Sequence, residues 1–286
     1  MFEDEEENIH QPVRLHLSLV AGALLAAVAG AQLFVLPEQS PRVFALPISV
    51  PMTAAFLGAC YLASCAMFIL AARQRLWANV RALAPGAAVL TSLTLTATLL
   101  ALPAFSFGAP GMLARSAAWA WLLIHVIATP GWLLFLAVNE TAPGTDPVSR
   151  QRLPLLLVVV LVLQAALLLF AGSALYALPT GLPIWPWALS GLTARLVGAW
   201  LVAIGVTGLA AAIEPDRRRL GPPLLAYGLL GALQLLVFAR YSATLTLGDR
   251  RVEAYLALLL SILAVGLFGA RLAIRDDRRR AAPLVR

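Results

Sequence analysis

The chain has 286 residues, of which 61% are hydrophobic and 12% charged, with a formal charge of +7 and a mean hydropathy of +0.86. Soluble domains run at about 45–50% apolar and about 25% charged residues, so this chain has too little polar surface for a water-facing fold. Soluble enzymes, disordered regulators, disulfide-framework domains and nucleic-acid readers are excluded, and a bilayer is indicated.

A spanning helix needs about 20 mostly apolar residues. Residues 1–14 form an acidic tail, with Glu3, Asp4, Glu5, Glu6 and Glu7, that reads as solvated and cytoplasmic. The first apolar run, 15–36, repeats small residues at Gly22, Ala26 and Gly30, a face suited to close helix packing. Ala29-Gly30-Ala31 resembles a leader cleavage site, but the acidic start is the reverse of a signal peptide's positive one, so the run is read as a span. Runs at 51–72, 82–102 and 116–138 complete a first unit, 15–140. Cys60 and Cys65 lie roughly 140° apart on the second of these helices and read as packing residues. Pro130-Gly131 predicts a kink in the fourth. A linker, 141–152, leads to a second unit, 153–275, with runs at 153–174, 189–213, 222–240 and 253–274, and a basic tail, 276–286, closes the chain. The expectation is an all-α integral membrane protein with eight transmembrane helices and no extramembrane domain.

Every basic residue is arginine, placed in short clusters between spans. With the N-terminus inside, 15 arginines fall on the cytoplasmic side and 6 on the other. By the positive-inside rule both termini are cytoplasmic, in a plasma (inner) membrane.

Shifting the chain by 140 residues aligns Thr53, Ala54, Gly58, Ala59, Ala63, Ala71 and Ala72 with Thr193, Ala194, Gly198, Ala199, Ala203, Ala211 and Ala212. Just upstream, a shift of 142 aligns Leu33, Leu36 and Pro37 with Leu175, Leu178 and Pro179. Such matches point to two parallel four-helix repeats related by an axis along the membrane normal. The segments Pro51, Thr53 to Ala59 and Tyr61, and Trp185-Pro186-Trp187, Leu192 to Arg195, Gly198 to Trp200 and Gly205, resemble signatures that recur in multi-pass membrane proteins of high-GC bacteria. The resemblance implies topology only and carries no activity.

Polar side chains near the bilayer centre are costly unless paired, so each is a candidate site. Thr94, His125, Gln164 and Gln234 fall near mid-span in four different spans, within roughly 5 Å of one plane. A shared cavity between the halves would take them as ligand-binding residues, with isolated interhelical hydrogen bonds as the alternative. His125 has no histidine or carboxylate at its depth, so no metal or haem is expected, and no other cofactor. Arg195, a few residues into its span, either snorkels to the headgroups or donates to an anionic headgroup or substrate. No catalytic residues are assigned: no span holds a carboxylate, and no nucleophile elbow, phosphate loop or zinc motif occurs.

The leading expectation is binding or transport of a small, weakly polar or lipid-like molecule in a midplane pocket. The alternative is a non-catalytic subunit or scaffold packed against another membrane protein or another copy of itself. A membrane-embedded enzyme acting on lipid headgroups through Arg195 is a third reading. Expected partners are membrane lipids and other membrane proteins, and no nucleic acid.

Overall fold

Backbone amides that meet no water must be satisfied within their own segment, which makes each apolar run a helix. The computed structural model describes residues 13–141, 152–180, 183–213, 216 and 219–281, with side chains only to Leu272 in the last helix. Glu3 to Glu7, Arg150, Glu214, Arg217, Arg218 and the side chains of Arg275 and Arg278 to Arg280 lie outside the described residues.

The helices are α1 (Val13–Val35), the single-turn α2 (Ser40–Val43), α3 (Pro51–Ala72), α4 (Ala84–Leu100), α5 (Met112–Glu140), α6 (Leu155–Ala177), α7 (Gly191–Ile213), α8 (Gly221–Tyr241) and α9 (Arg250–Ala281), with no strand among the described residues. Eight of them are long and apolar enough to cross a membrane. The chain is an all-α, multi-pass membrane protein. Eight crossings bring the end of α9 back to the face where α1 begins, here the proximal face; the other is the distal face.

Local chemistry sets the ends. Proline in the first turn starts α3 at the expected Pro51. Helix α4 stops at Leu100, two residues early, because Leu102–Ala104 tightens into a 3-10 turn around Pro103. Helix α5 is longer than the expected 116–138: it starts after Pro110-Gly111, keeps Arg115 on its exposed face and continues through Pro130. Ser190 and Thr193 cap α7 reciprocally: the Thr193 amide donates to Ser190 Oγ (3.2 Å) and the Ser190 amide to Thr193 Oγ1 (2.9 Å). Asp249 starts α9 three residues before the expected 253, its Oδ1 accepting from the Arg251 amide at 2.8 Å.

Lipid tails are as apolar as leucine, so helix association relies on close fit. The principal packed pairs are α1 with α3, α6 with α7, and α8 with α9; α4 rests on α5, and α3–α8 and α4–α7 join the two halves. Glycines set the tightest crossings. Gly58 of α3 lies against the Phe34 amide nitrogen of α1, and Gly198 of α7 against that of Tyr176 on α6. A Cβ added at Gly30 would meet the Leu62 nitrogen at 3.0 Å, and one at Gly172 the Val202 nitrogen at 2.7 Å. Under the 140 and 142 shifts these nitrogen contacts fall at corresponding positions, although the atom nearest a Cβ at Gly198 is the Gly172 carbonyl oxygen, at 2.6 Å.

Each half is plugged on the distal face. In the first, the buried Phe44, Ala45, Leu46 and Ile48 turn inward between α1 and α3, where Phe44 and Phe105 pack on Trp121 at centroid distances of 5.5 and 6.1 Å. In the second, Trp185 and Trp187 pack on Tyr255, both at 5.5 Å. On the proximal face Leu15, Leu19, Trp77, Val80 and Leu83 form a separate cluster. There His16 Nδ1 donates to the Ala72 carbonyl (2.9 Å) and ties the start of α1 to the end of α3.

Candidate functional site

Consecutive spans α3 and α4 do not pack along their lengths, and neither do α7 and α8. The crossed pairs α3–α8 and α4–α7 hold the centre, and the space left between them is a cavity of about 140 Å³. Its walls come from the proximal halves of the four helices, closed by Trp132 of α5 and Leu161 of α6. Cys60, Ala63, Ser64, Met67 and Phe68 of α3 line it together with Trp200, Ala203, Ile204, Thr207 and Gly208 of α7. Gly86, Ala87 and Leu90 of α4 do so with Ala226, Tyr227 and Leu230 of α8. Each of these positions maps onto its counterpart under the 140 shift. A second void of about 50 Å³ lies distally, sharing Cys60, Ile204 and Leu230 with the first and reaching Gln234, Tyr255 and Trp185.

The large cavity is apolar, and most of its polar side chains are committed elsewhere. Thr91 and Thr207 return their hydroxyls to the Ala87 and Ala203 carbonyls of their own helices (3.0 and 2.9 Å). The Tyr227 hydroxyl donates to Gln164 Oε1 (3.1 Å), and Cys60 Sγ accepts from Gln234 Nε2 (3.3 Å). The Ser64 hydroxyl and the Trp200 indole N–H have no hydrogen-bond partner among the described residues. Among the described residues no carboxylate or arginine lines the cavity. An engineered apolar cavity of about 150 Å³ stays dry and takes benzene or xenon, so this one suits an apolar group of that size.

The four polar residues singled out from the sequence are all buried, but the structure does not bring them together. Gln164 Nε2 donates to Ser261 Oγ (2.6 Å), which links α6 to α9. Gln234 Nε2 donates to the Phe56 carbonyl (3.1 Å) and its Oε1 accepts from Tyr255 (3.4 Å), joining α8 to α3 and α9. Thr94 accepts the Thr98 hydroxyl on its carbonyl (2.8 Å), and Thr98 in turn accepts from the Trp121 indole (3.0 Å). His125 Nδ1 donates to the Trp121 carbonyl of its own helix (2.8 Å), and the two rings lie 4.6 Å apart. Of the four, Gln234 alone reaches a void, the smaller one. The apolar cavity lies nearer the proximal face than the midplane pocket expected from their depth, and none of the four lines it. The reason is energetic: a polar group left bare in the interior costs more than a hydrogen bond returns, so Gln164, Gln234 and His125 turn to the nearest backbone or side-chain partner.

Arg195, half-buried, lies away from both voids. Cys60 is buried and Cys65 half-buried, and both are free thiols. No group of three or more His, Cys, Asp or Glu that could hold a metal occurs among the described residues. Depth and polarity missed Ser64, Trp200 and Tyr227. The signal that leads to the cavity was the set of small residues matched by the 140 shift, because Ala63, Ala203 and Ala211 all line it. Comparison with family models, curated proteins and solved structures gives no match to the chain.

Proposed function

We propose that this chain binds, and passes across or within the membrane, a small apolar or lipid-like molecule seated in the central cavity, and that its two halves are parallel repeats. The observation that carries the reading is the cavity itself: about 140 Å³ of apolar space lined by equivalent positions of α3 and α7 and of α4 and α8. A tightly packed bundle has no use for such a void, which forfeits dispersion contacts along its whole lining. Ligand sites between structural repeats are also a recurrent transporter arrangement. In this reading Gln164 and Gln234 are struts that tie together the helices around the cavity, and the proximal face, with most of the arginines, is cytoplasmic.

A photoactivatable fatty acid in lipid nanodiscs tests the proposal. Labelling is expected at cavity residues such as Met67 and Tyr227, and the bulkier Ala63→Leu and Ala203→Leu variants should each lose it while retaining their helical content. Labelling confined to the lipid-exposed side of α5, at Leu123, Ile127 and Leu134, and unchanged in both variants, would sink it. A second reading, a non-catalytic subunit, is favoured by α5, which has α4 as its principal long neighbour and leaves Trp119, Leu123, Ile127 and Leu134 exposed. That outcome would appear as a stable hetero-oligomer or self-association lost on replacing these residues.

A further inference from the structure

Arg195 stands four residues into α7 from Gly191, about 6 Å along the axis from the distal end at 1.5 Å per residue. The stretch from Leu196 to Ile213 below it covers about 27 Å, close to the ~30 Å hydrocarbon thickness. The length of the helix therefore puts the Arg195 backbone near the distal end of the apolar span. The other described arginines either interact within the chain, as the buried Arg219 does, or are exposed, as Arg14, Arg73, Arg75, Arg152 and Arg271 are. Arg81 pairs with Glu140 (2.8 Å), Arg240 with Glu38 (3.3 Å) and the Phe34 carbonyl (3.0 Å), and Arg251 with Asp249 and the Pro183 carbonyl (3.2 Å). Arg42, Arg115 and Arg250 are exposed. Arg195 is half-buried, and among the described residues it has no hydrogen bond or ion pair. Five N–H donors at a low-dielectric boundary are left for something outside the chain.

The surroundings define what that is. Gly198, one turn further along the same face of α7, is where α6 comes closest, with the Tyr176 nitrogen 2.9 Å from an added Cβ. The Tyr176 hydroxyl donates across to the Leu93 carbonyl of α4 (2.8 Å) and lies within Coulombic reach of Arg195. Thr96 of α4, whose hydroxyl returns to the Ser92 carbonyl (2.9 Å), is exposed beside this seam. The acids of the distal face lie elsewhere: Glu38 and Asp249 are taken up by Arg240 and Arg251, and Glu253 stands in the first turn of α9, which packs on α8. Deeper in the bilayer, α6 presents Leu163, Leu167 and Phe170 as one exposed apolar stripe.

We infer that Arg195, at the seam of α4, α6 and α7, seats the phosphate of an anionic phospholipid in the distal leaflet, with the acyl chains lying along α6. A planar guanidinium matches two phosphate oxygens at once, and at this depth the anion on hand is a lipid phosphate. The site is independent of the central cavity: its counterpart in the first half is Ala55, which is fully buried, so it is not repeated.

The test uses the full chain, delipidated in detergent and titrated with phosphatidylglycerol, phosphatidylcholine or inorganic phosphate, with bound lipid counted by native mass spectrometry. Phosphatidylglycerol is expected to bind more tightly than phosphatidylcholine and to resist displacement by millimolar inorganic phosphate. Arg195→Gln should weaken that binding by about tenfold or more, the scale of one charge-assisted hydrogen bond lost, with Arg195→Lys intermediate. Should Arg195→Gln not fold, wild-type binding of phosphatidylglycerol must still weaken as salt is raised, as a charge-driven contact does. Equal lipid retention by wild type and Arg195→Gln, or salt-independent binding, would overturn the inference. Displacement by inorganic phosphate would overturn the lipid as the source and leave a site for a soluble anion.

Discussion

Gly231 and Gly131 occupy helices of similar composition and should respond oppositely to the same substitution. A Cβ at Gly231 would lie 2.7 Å from the Leu263 backbone nitrogen, whereas at Gly131 it meets nothing within 4 Å. Gly231→Ala is expected to cost about 1–3 kcal/mol, because the α8–α9 crossing must open. Gly131→Ala should be neutral or stabilise by up to about 1 kcal/mol through helix propensity. Thermal unfolding in detergent compares the two, and equal midpoints would refute the close-approach argument. Asp249 offers a pH test at the same scale. The Arg251 guanidinium and amide hold its carboxyl down at about 2, below the ordinary 3.8. A depressed carboxylate stabilises fully above its unfolded value and loses that contribution as pH falls from about 3.8 through about 2. Asp249→Asn should abolish this part of the acid response while leaving stability at neutral pH lower, because the charge-assisted cap is lost. An unchanged acid profile in the variant would remove the argument.

At the scale of helices, length and apolarity placed every span within a few residues, since a bilayer core leaves an apolar run of that length few alternatives to a helix. Departures occur where capping decides. Asp249 draws α9 back to Arg250, and the turn around Pro103 shortens α4, both effects of single side chains that a hydropathy window averages away. The loops are less legible. The segment from Phe44 to Ile48 reads as a connection, yet all of it but Pro47 is buried, because Trp121 and Phe105 give it an apolar seat that only the assembled bundle supplies.

For the molecule as a whole, the crossings α1–α3 and α6–α7 each set a glycine against a backbone nitrogen at a corresponding position, which gives the proposed duplication a measurable consequence. Gly58→Ala and Gly198→Ala both press a methyl group onto the partner's backbone nitrogen, at Phe34 and Tyr176. Each should therefore destabilise by a similar amount, about 1–3 kcal/mol. A large loss from one and none from the other, read by the same unfolding assay, would argue that the two crossings are not equivalent. The halves do differ at the seam of α4, α6 and α7, where Arg195 has a buried alanine as its counterpart, so lipid binding should depend on the second half alone.

The amino-acid sequence by itself determined the bilayer as solvent, the eight spans and the small-residue faces, because these follow from composition and local periodicity. It also contained, in Ala63 and Ala203, two walls of the cavity. Only the tertiary structure decided that Gln164 would meet Ser261 and Gln234 the Phe56 carbonyl, because these partners are set by which helices pack together, whereas His125 turns to Trp121 of its own helix. It likewise decided that the empty space would be apolar and nearer the proximal face: a cavity is whatever volume packed helices leave unfilled, and no single segment encodes it.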